Sequence, residues 1–422
     1  MLKGLFFCVK GREIKVTRTD AFLYIGGSYP QLRSIETIKN LGIVTILTDR
    51  SPNPPLKSIS DHFYNIDATD LESFMKLGDE IANKFNLIGV YPIEDYAVPA
   101  ATAIAEKFNL PYFDDLTAEI LLNKYKSFDI CSRNNILTPN SILIKSDSDI
   151  IESHSNIVDE LGLPFLLKPV SSWGSQGVTI IHTVDKYEFS KAINLAREFS
   201  QEIIAQEVIT GTVHNVDGLL LDKIYYPCNS YDRLPNIDFE NVTKSILEPS
   251  GLPVEYIESM HNILNDTAKV MNLKNGPITG DFIFSKGSIY LLEISPHFHS
   301  IHQASIRTNG VHNPMKAWVS YLLGTSKPED ILNYQPTPGT SVMSSSWTDK
   351  SGEILEIFID EDINNINEVR DVYILYEKGD SIISKISSWN CIALIWGFSN
   401  KRTSLLKAMD DASELIKVEF IT

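Results

Sequence analysis

The stretch GDFIFSKGSIYLLEIS, residues 280–295, reads as one β-hairpin, with two runs of Phe, Ile, Tyr and Leu flanking Ser285-Lys286-Gly287-Ser288. Its arms carry Asp281 and Glu293. An odd-length turn, such as a three-residue loop ending on Gly287, sends both carboxylates to one face of the ribbon. Like charges close together across strands are destabilising unless something neutralises them. The apolar neighbours mark the strands as buried, so the pair calls for a shared proton or a divalent cation. Hard oxygen ligands on few protein groups, with room left for phosphate oxygens, are how proteins usually hold Mg²⁺.

Upstream, Lys168 lies in the otherwise apolar strand PFLLKPV and must reach an anion or snorkel to water. The loop that follows, Ser171-Ser172-Trp173-Gly174-Ser175-Gln176-Gly177, is rich in glycine and small polar residues, whose backbone N–H groups can close on phosphate oxygens. A glycine loop alone is most often a hairpin turn. A lysine in one strand, joined by that loop to the next, is a stronger phosphate signal. Gln206-Glu207-Val208-Ile209 ends a strand just before Thr210-Gly211 and can offer backbone groups to a planar base.

The N-terminal third alternates strand and helix. Strands are expected at 21–25, 43–47 and 87–91, with helices at 31–40, 71–85 and 98–108, a doubly wound α/β unit ending near residue 115. The first 17 residues suggest a small hairpin around Lys10-Gly11-Arg12. Gly26-Gly27 is a strand-to-helix turn without the full dinucleotide fingerprint, and it reads as structural. Glu94-Asp95 follow a strand, at the sheet edge where ligands often bind, but acids at a helix start are the simpler reading. Further on, helices are expected at 117–134, 150–161, 186–199, 255–271, 314–323 and 404–416, and strands at 141–144, 165–169, 178–182, 202–208 and 215–221. Residues 222–250 resist assignment, and strands dominate after residue 330.

The net charge of −17 argues against a general nucleic-acid or anionic-membrane binder, since either needs a basic face. Cys8, Cys131, Cys228 and Cys391 are scattered without metal-type spacing and read as reduced thiols of a cytoplasmic protein. The apolar run at residues 5–9 is too short for a signal peptide or a membrane span.

Taken in order, NKYKS…ILTP, LPFLLKP, SSWGSQGV, IAQEVITG…NVDG and GDFIFSKGSIYLLEISP resemble the ATP-grasp superfamily of carboxylate–amine ligases. Within it the chain is most similar to the ligases that join L-amino acids into dipeptides. The likeness runs over residues 20–325, and the C-terminal CIALIWGFSNKRTSLLKAMDDASELIKV is similar to the lid-like tail of several members. It implies an α/β and α+β protein in four parts: a Rossmann-like pre-ATP-grasp domain (1–115), a small subdomain with the phosphate loop (116–205), a large subdomain with the metal hairpin (206–325), and a C-terminal α+β lid (326–422).

The resemblance also implies roles. Lys124 and Lys168 would contact ATP phosphates, and Ser175, Gln176 and Gly177 would close over them. Gln206, Glu207 and Ile209 would hold adenine, with Glu207 and Ile209 acting through their backbones. Asp281 and Glu293 would bind two Mg²⁺ ions, for which Mn²⁺ can substitute. The substrates would be a small carboxylate and an amine, and a homodimer is a common assembly. Three positions depart from the pattern. Ser295 replaces the usual asparagine metal ligand, though it shares the face of Glu293. His297 replaces an arginine that steadies the transferring phosphate, and a histidine can be neutral at pH 7. Val213 stands where an acid holds the ribose. These departures leave open a phosphotransferase, a carboxylase-type enzyme or a nucleotide-binding homologue without turnover. His297, His299 and His302 match no zinc spacing. Their loop is expected to line the substrate pocket, with Arg307 either an anion clamp or a surface residue.

Overall fold

The computed structural model describes residues 6–9, 12–15, 18–172, 174–236, 239–299, 313–332, 339–383 and 390–421. Arg307 and His302 lie outside the described residues. The expected N-terminal hairpin is present as Phe6–Val9 paired antiparallel with Arg12–Lys15.

Next comes a parallel sheet in the order His62–Asn65, Val44–Asp49, Asp20–Ile25, Asn86–Pro92. The strand Asp20–Ile25 is central, and Phe22 and Leu23 are fully buried, as a strand covered on both faces requires. The helices Leu32–Asn40, Leu71–Lys84 and Val98–Phe108 match the expected positions. The short strand His62–Asn65 was not anticipated, since its burial is partial and its pattern is polar.

One expected helix is two. Asp115–Leu122 and Lys124–Arg133 are separated by Asn123, whose side chain accepts from the Lys126 N–H at 3.0 Å. Asparagine favours this cap because its short amide satisfies an N–H that the helix start leaves unpaired. The break makes Lys124 the first residue of the second helix.

A small antiparallel sheet follows, ordered Ser141–Ile144, Ile203–Glu207, Phe165–Pro169, Thr179–Ile181. The helices Ile150–Leu161 and Lys186–Arg197 pack on it through Ile157, Phe189 and Ile193. The largest sheet has eight strands, and it takes five from residues 212–295 and three from residues 340–399. The segment that resisted assignment supplies two of the five, Ile224–Asn236 and Phe239–Glu248. The helix Val254–Val270 covers one face, where Val216 and Phe282 join Leu264 in the main core. A second core, with Val342, Ile395, Leu405 and Met409, seats the helix Arg402–Glu414 on the C-terminal strands.

The opening hairpin is Gly276–Ser285 paired with Ser288–Ser295. Its turn is not odd-length. Ser285 pairs with Ser288 across two residues, Lys286 and Gly287, both with positive φ (49° and 84°), a turn that suits glycine. The odd residue comes from a bulge instead. Phe282 pairs with Leu291 but Asp281 pairs with Glu293, so Leu292 is the extra residue. The two carboxylates therefore do face each other, for a different reason than turn length.

Candidate active site

Three adjacent strands align Asn215, Asp281 and Glu293 in one row across the large sheet. Directly opposed residues of antiparallel strands share a face, so three polar side chains stand side by side. The expected neutralisation of the acid pair is present in a third form, since each carboxylate has its own basic partner. Arg233 Nη1 donates to Asp281 Oδ2 at 2.7 Å, and Lys124 Nζ reaches Glu293 Oε1 at 2.8 Å. Arg233 also donates to Thr243 Oγ1, and Lys124 to the Ser172 carbonyl at 2.6 Å. Burial still pushes the Asp281 carboxyl up to about 6; the Arg233 charge opposes that rise and the Glu293 charge adds to it. Burial works against the Lys124 charge, but the carboxylates of Glu293, Asp95 and Asp281 outweigh it and raise that amine.

Lys168 sits in the strand Phe165–Pro169, almost fully buried, with its ammonium 4.7 Å from the centre of the Phe128 ring. It makes no hydrogen bond or ion pair to a described residue. Burial lowers its amine to about 8, with the Glu293 and Asp281 charges opposing and the repulsion of Lys124 adding. A buried cation whose nearest carboxylates act only at longer range has room for a further anion.

Gly174 and Ser175 lean over the hairpin and share a cavity with Asp281, Glu293, Ser295 and His297. Gly177 is tightly enclosed: its φ is +73°, and a Cβ there would stand 2.8 Å from Pro169 Cγ and 3.2 Å from the Ala196 Cα. The loop is thus pinned at one end by a residue that only glycine suits.

The cavity holds about 220 Å³ and lies between the parallel sheet's C-terminal edge and the large sheet. Its N-terminal wall includes Glu94 and Asp95, so these acids are more than a helix start. His297 Nε2 is 3.1 Å from Asp95 Oδ1, and His297 Nδ1 is 2.9 Å from the Phe298 carbonyl. Burial disfavours the imidazolium, but Asp95, Glu94 and that carbonyl outweigh it and raise the ring to about 9. The residue where an arginine was expected is therefore a cation at neutral pH as well. Burial raises the Glu94 carboxyl to about 7, with His297 opposing and Asp95 adding. Beneath the His297 loop, Asp217 is fully buried and accepts from Tyr231 Oη at 2.6 Å, from Thr279 Oγ1 and from the His299 N–H at 3.1 Å.

Not every candidate gathers here. Lys124, Lys168, Gln176, Gly177, Gln206, Glu207 and Ile209 are not among the cavity's lining residues, although Lys124 reaches the site through Glu293. The Gln206 amide donates to Ser141 Oγ at 2.9 Å and is buried, a structural tie between strands. The Glu207 carboxylate accepts from the Asn140 N–H at 2.8 Å, and the Glu207 N–H donates to the Asn140 carbonyl. Sequence reasoning missed Arg233, Asn215 and Asp217. Only Asp217 gave a signal, as a lone acid in the apolar run VDGLLL.

The residues fit a hard cation. Asp281, Glu293 and Ser295 offer hard oxygen ligands on one face, and Asn215 Oδ1 is a buried acceptor without a partner beside Asp281. Among the described residues no group of three or more His, Cys, Asp or Glu side chains is arranged for a metal. No described helix is long and apolar enough to cross a membrane.

No protein-family model matches the chain. A D-alanine–D-alanine ligase from Aromatoleum aromaticum is 24% identical over 199 residues, 46% of this chain and 62% of that protein. The chain thus spans less than two thirds of that relative's length. The crystal structure of an L-amino acid ligase from Bacillus licheniformis superposes with a TM-score of 0.79 at 18% identity, over 96% of this chain and all of that one. The biotin carboxylase domain of 2-oxoglutarate carboxylase from Hydrogenobacter thermophilus, solved with MgADP and bicarbonate, matches with a TM-score of 0.72 at 17% identity, over 95% of this chain and 91% of that one. At these identities the likeness to the solved structures is one of fold.

Proposed function

We propose that this chain, which has the ATP-grasp fold, is an ATP-dependent ligase that activates a small carboxylic acid as an acyl phosphate and joins it to an amine. The observation that carries the reading is convergence: the hairpin carboxylates, the glycine loop and the His297 cation all line one cavity. In this reading Lys168 and Lys124 hold the ATP phosphates, and Ser175, Gln176 and Gly177 close over them. Backbone groups of Glu207 and Ile209 take the adenine edge, with Gln206 bracing their strand. Asp281 and Glu293, with Ser295 on the same face, hold magnesium, which when bound neutralises phosphate charge.

The acid's carboxylate oxygen attacks the γ-phosphorus and ADP leaves. The amine nitrogen then attacks the acyl carbon, phosphate leaves, and the amine's proton needs an acceptor. Glu94 suits that task, with a carboxyl near 7 and no side-chain hydrogen bond to a described residue. Arg233 and His297 provide the positive charge that the absent arginine would supply, so the chain's contribution is positioning and electrostatics. One of the three departures, Ser295 for asparagine, is met by the amide of Asn215 on the other side of Asp281.

The test is phosphate release from Mg-ATP over pairs of small acids and amines, with mass spectrometry of products. An amide-linked product is expected. Asp281→Asn and Glu293→Gln should each lower kcat by roughly 10²-fold or more while the protein stays folded, the scale seen when one key transition-state group is lost. Full activity in either variant would show the metal assignment to be wrong, and a stable phosphorylated product would make the chain a phosphotransferase.

A further inference from the structure

We propose that the C-terminal strands form the side-chain pocket for the acid substrate, and that this acid carries an apolar side chain. The inference rests on the ligase reading above and names its substrate class.

Arg233 pairs with Ile246, Ile246 with Met343, and Met343 with Trp396, one residue per strand across the large sheet. All four share the face of Asp281 and Asn215. Neighbouring strands lie about 5 Å apart, so Ile246 and Met343 stand roughly 5 and 10 Å beyond Arg233. Leu394, two residues before Trp396, shares that face and lines the same cavity with Leu375. Ile246, Leu394 and Trp396 belong to one packed cluster with Tyr231, and Tyr29 from the N-terminal unit joins it. The Tyr29 ring stacks on Tyr373 at 3.8 Å between centroids. The cavity therefore has a charged end at the hairpin and an apolar end at the C-terminal strands.

Charge at the apolar end is already committed. Lys244 lines the cavity, but its ammonium pairs with Asp410 at 2.6 Å. Among the described residues there, no counter-charge is left for an acidic or basic side chain, and burying one unpaired is costly. The volume sets the size. About 220 Å³, shared with the metal and phosphate at the hairpin end, is below the ~300–1,000 Å³ typical of drug-sized ligands, so the acid is at most of amino-acid size.

The test uses the full chain with Mg-ATP, a fixed amine in excess, and glycine, alanine, leucine, methionine, lysine and glutamate as the acid. Leucine and methionine should exceed glycine in kcat/KM by about tenfold or more, since one methylene in an apolar pocket is worth roughly 10–200-fold. Lysine and glutamate should fall below glycine. Met343→Trp, which fills the pocket, should lower the leucine-to-glycine ratio by at least about tenfold. Leu394→Ala, which enlarges it, should move the preference towards larger side chains and serves if the tryptophan variant does not fold. Rates indifferent to the side chain, or a variant that lowers every acid by the same factor, would overturn the pocket while leaving the ligase reading intact. Phosphate release with no acid–amine pair would overturn both.

Discussion

Replacing Arg233 with methionine removes the cation from Asp281 while keeping most of the apolar stem. The pair is only about a quarter exposed, with side-chain accessibilities of 25% and 21%, so solvent cannot fully substitute for the lost charge. At an effective dielectric near 20 the gross attraction at contact is on the order of 4 kcal/mol. The net loss is smaller because Asp281 can escape by taking up a proton. With Arg233 present burial holds its carboxyl at about 6, and losing that cation raises it further. The charge-dependent loss is then bounded by the ionisation free energy of the wild-type group, roughly 1.4 kcal/mol at pH 7 and 2.7 kcal/mol at pH 8. Losing the hydrogen bonds to Thr243 adds about 1 kcal/mol.

The sign follows from linkage. Asp281 has a folded value above its ordinary 3.8, so its cost to stability is absent below 3.8 and grows until about pH 6. In Arg233→Met that cost continues to grow above pH 6, so the variant's deficit should widen between pH 6 and 8. Equilibrium urea unfolding in EDTA at pH 6, 7 and 8 reads this directly. In an Asp281→Asn background the Arg233→Met cost should shrink by about 1 kcal/mol or more at pH 7. A deficit that does not change with pH, and is equal in both backgrounds, would refute the pairing argument and leave Arg233 a packing residue.

Two further outcomes test neighbouring parts of the site. Lys168 is charged below about pH 8, so ADP affinity measured by calorimetry should weaken by up to about tenfold per pH unit above that value. Lys168→Arg, which stays charged, should abolish the trend, and an unchanged trend would assign it elsewhere. The same depressed value makes the Lys168 charge a stability cost that is full below about 8 and relieved as pH rises towards 10.5. Asn123→Ala should destabilise the protein by about 1 kcal/mol through loss of its cap on Lys126. Because it also sets the helix start that carries Lys124, KM for ATP should rise more than kcat falls. Thermal unfolding and steady-state kinetics check the two effects.

The parts of this molecule that could be read from residues are those where burial and local pattern agree. The parallel strands and their helices repeat apolar periodicity without functional interruption, so they match nearly residue for residue. The failures have physical causes. Residues 117–134 kept helical spacing through Asn123, and only the capping chemistry of that side chain broke the helix. In the hairpin, Ile289–Leu292 is an unbroken apolar run, so no alternation singles out Leu292 as the extra residue of the bulge. The strand Ile224–Asn236 contains Pro227, Asn229, Asp232, Arg233 and Pro235, so it has no apolar stripe to read. A strand whose inner face must carry Arg233 to an acid cannot also present a hydrophobic pattern there. The same reasoning explains why the expected arginine seemed lost. It was sought two residues beyond Ser295, along the hairpin; in the proposed reading Arg233 brings that charge from two strands away, and His297, paired with Asp95, adds a second cation. A linear motif records neighbours in the chain, but a sheet builds its site across strands, so a residue missing from the motif marks a place to search the adjacent ladder before concluding that the chemistry has changed.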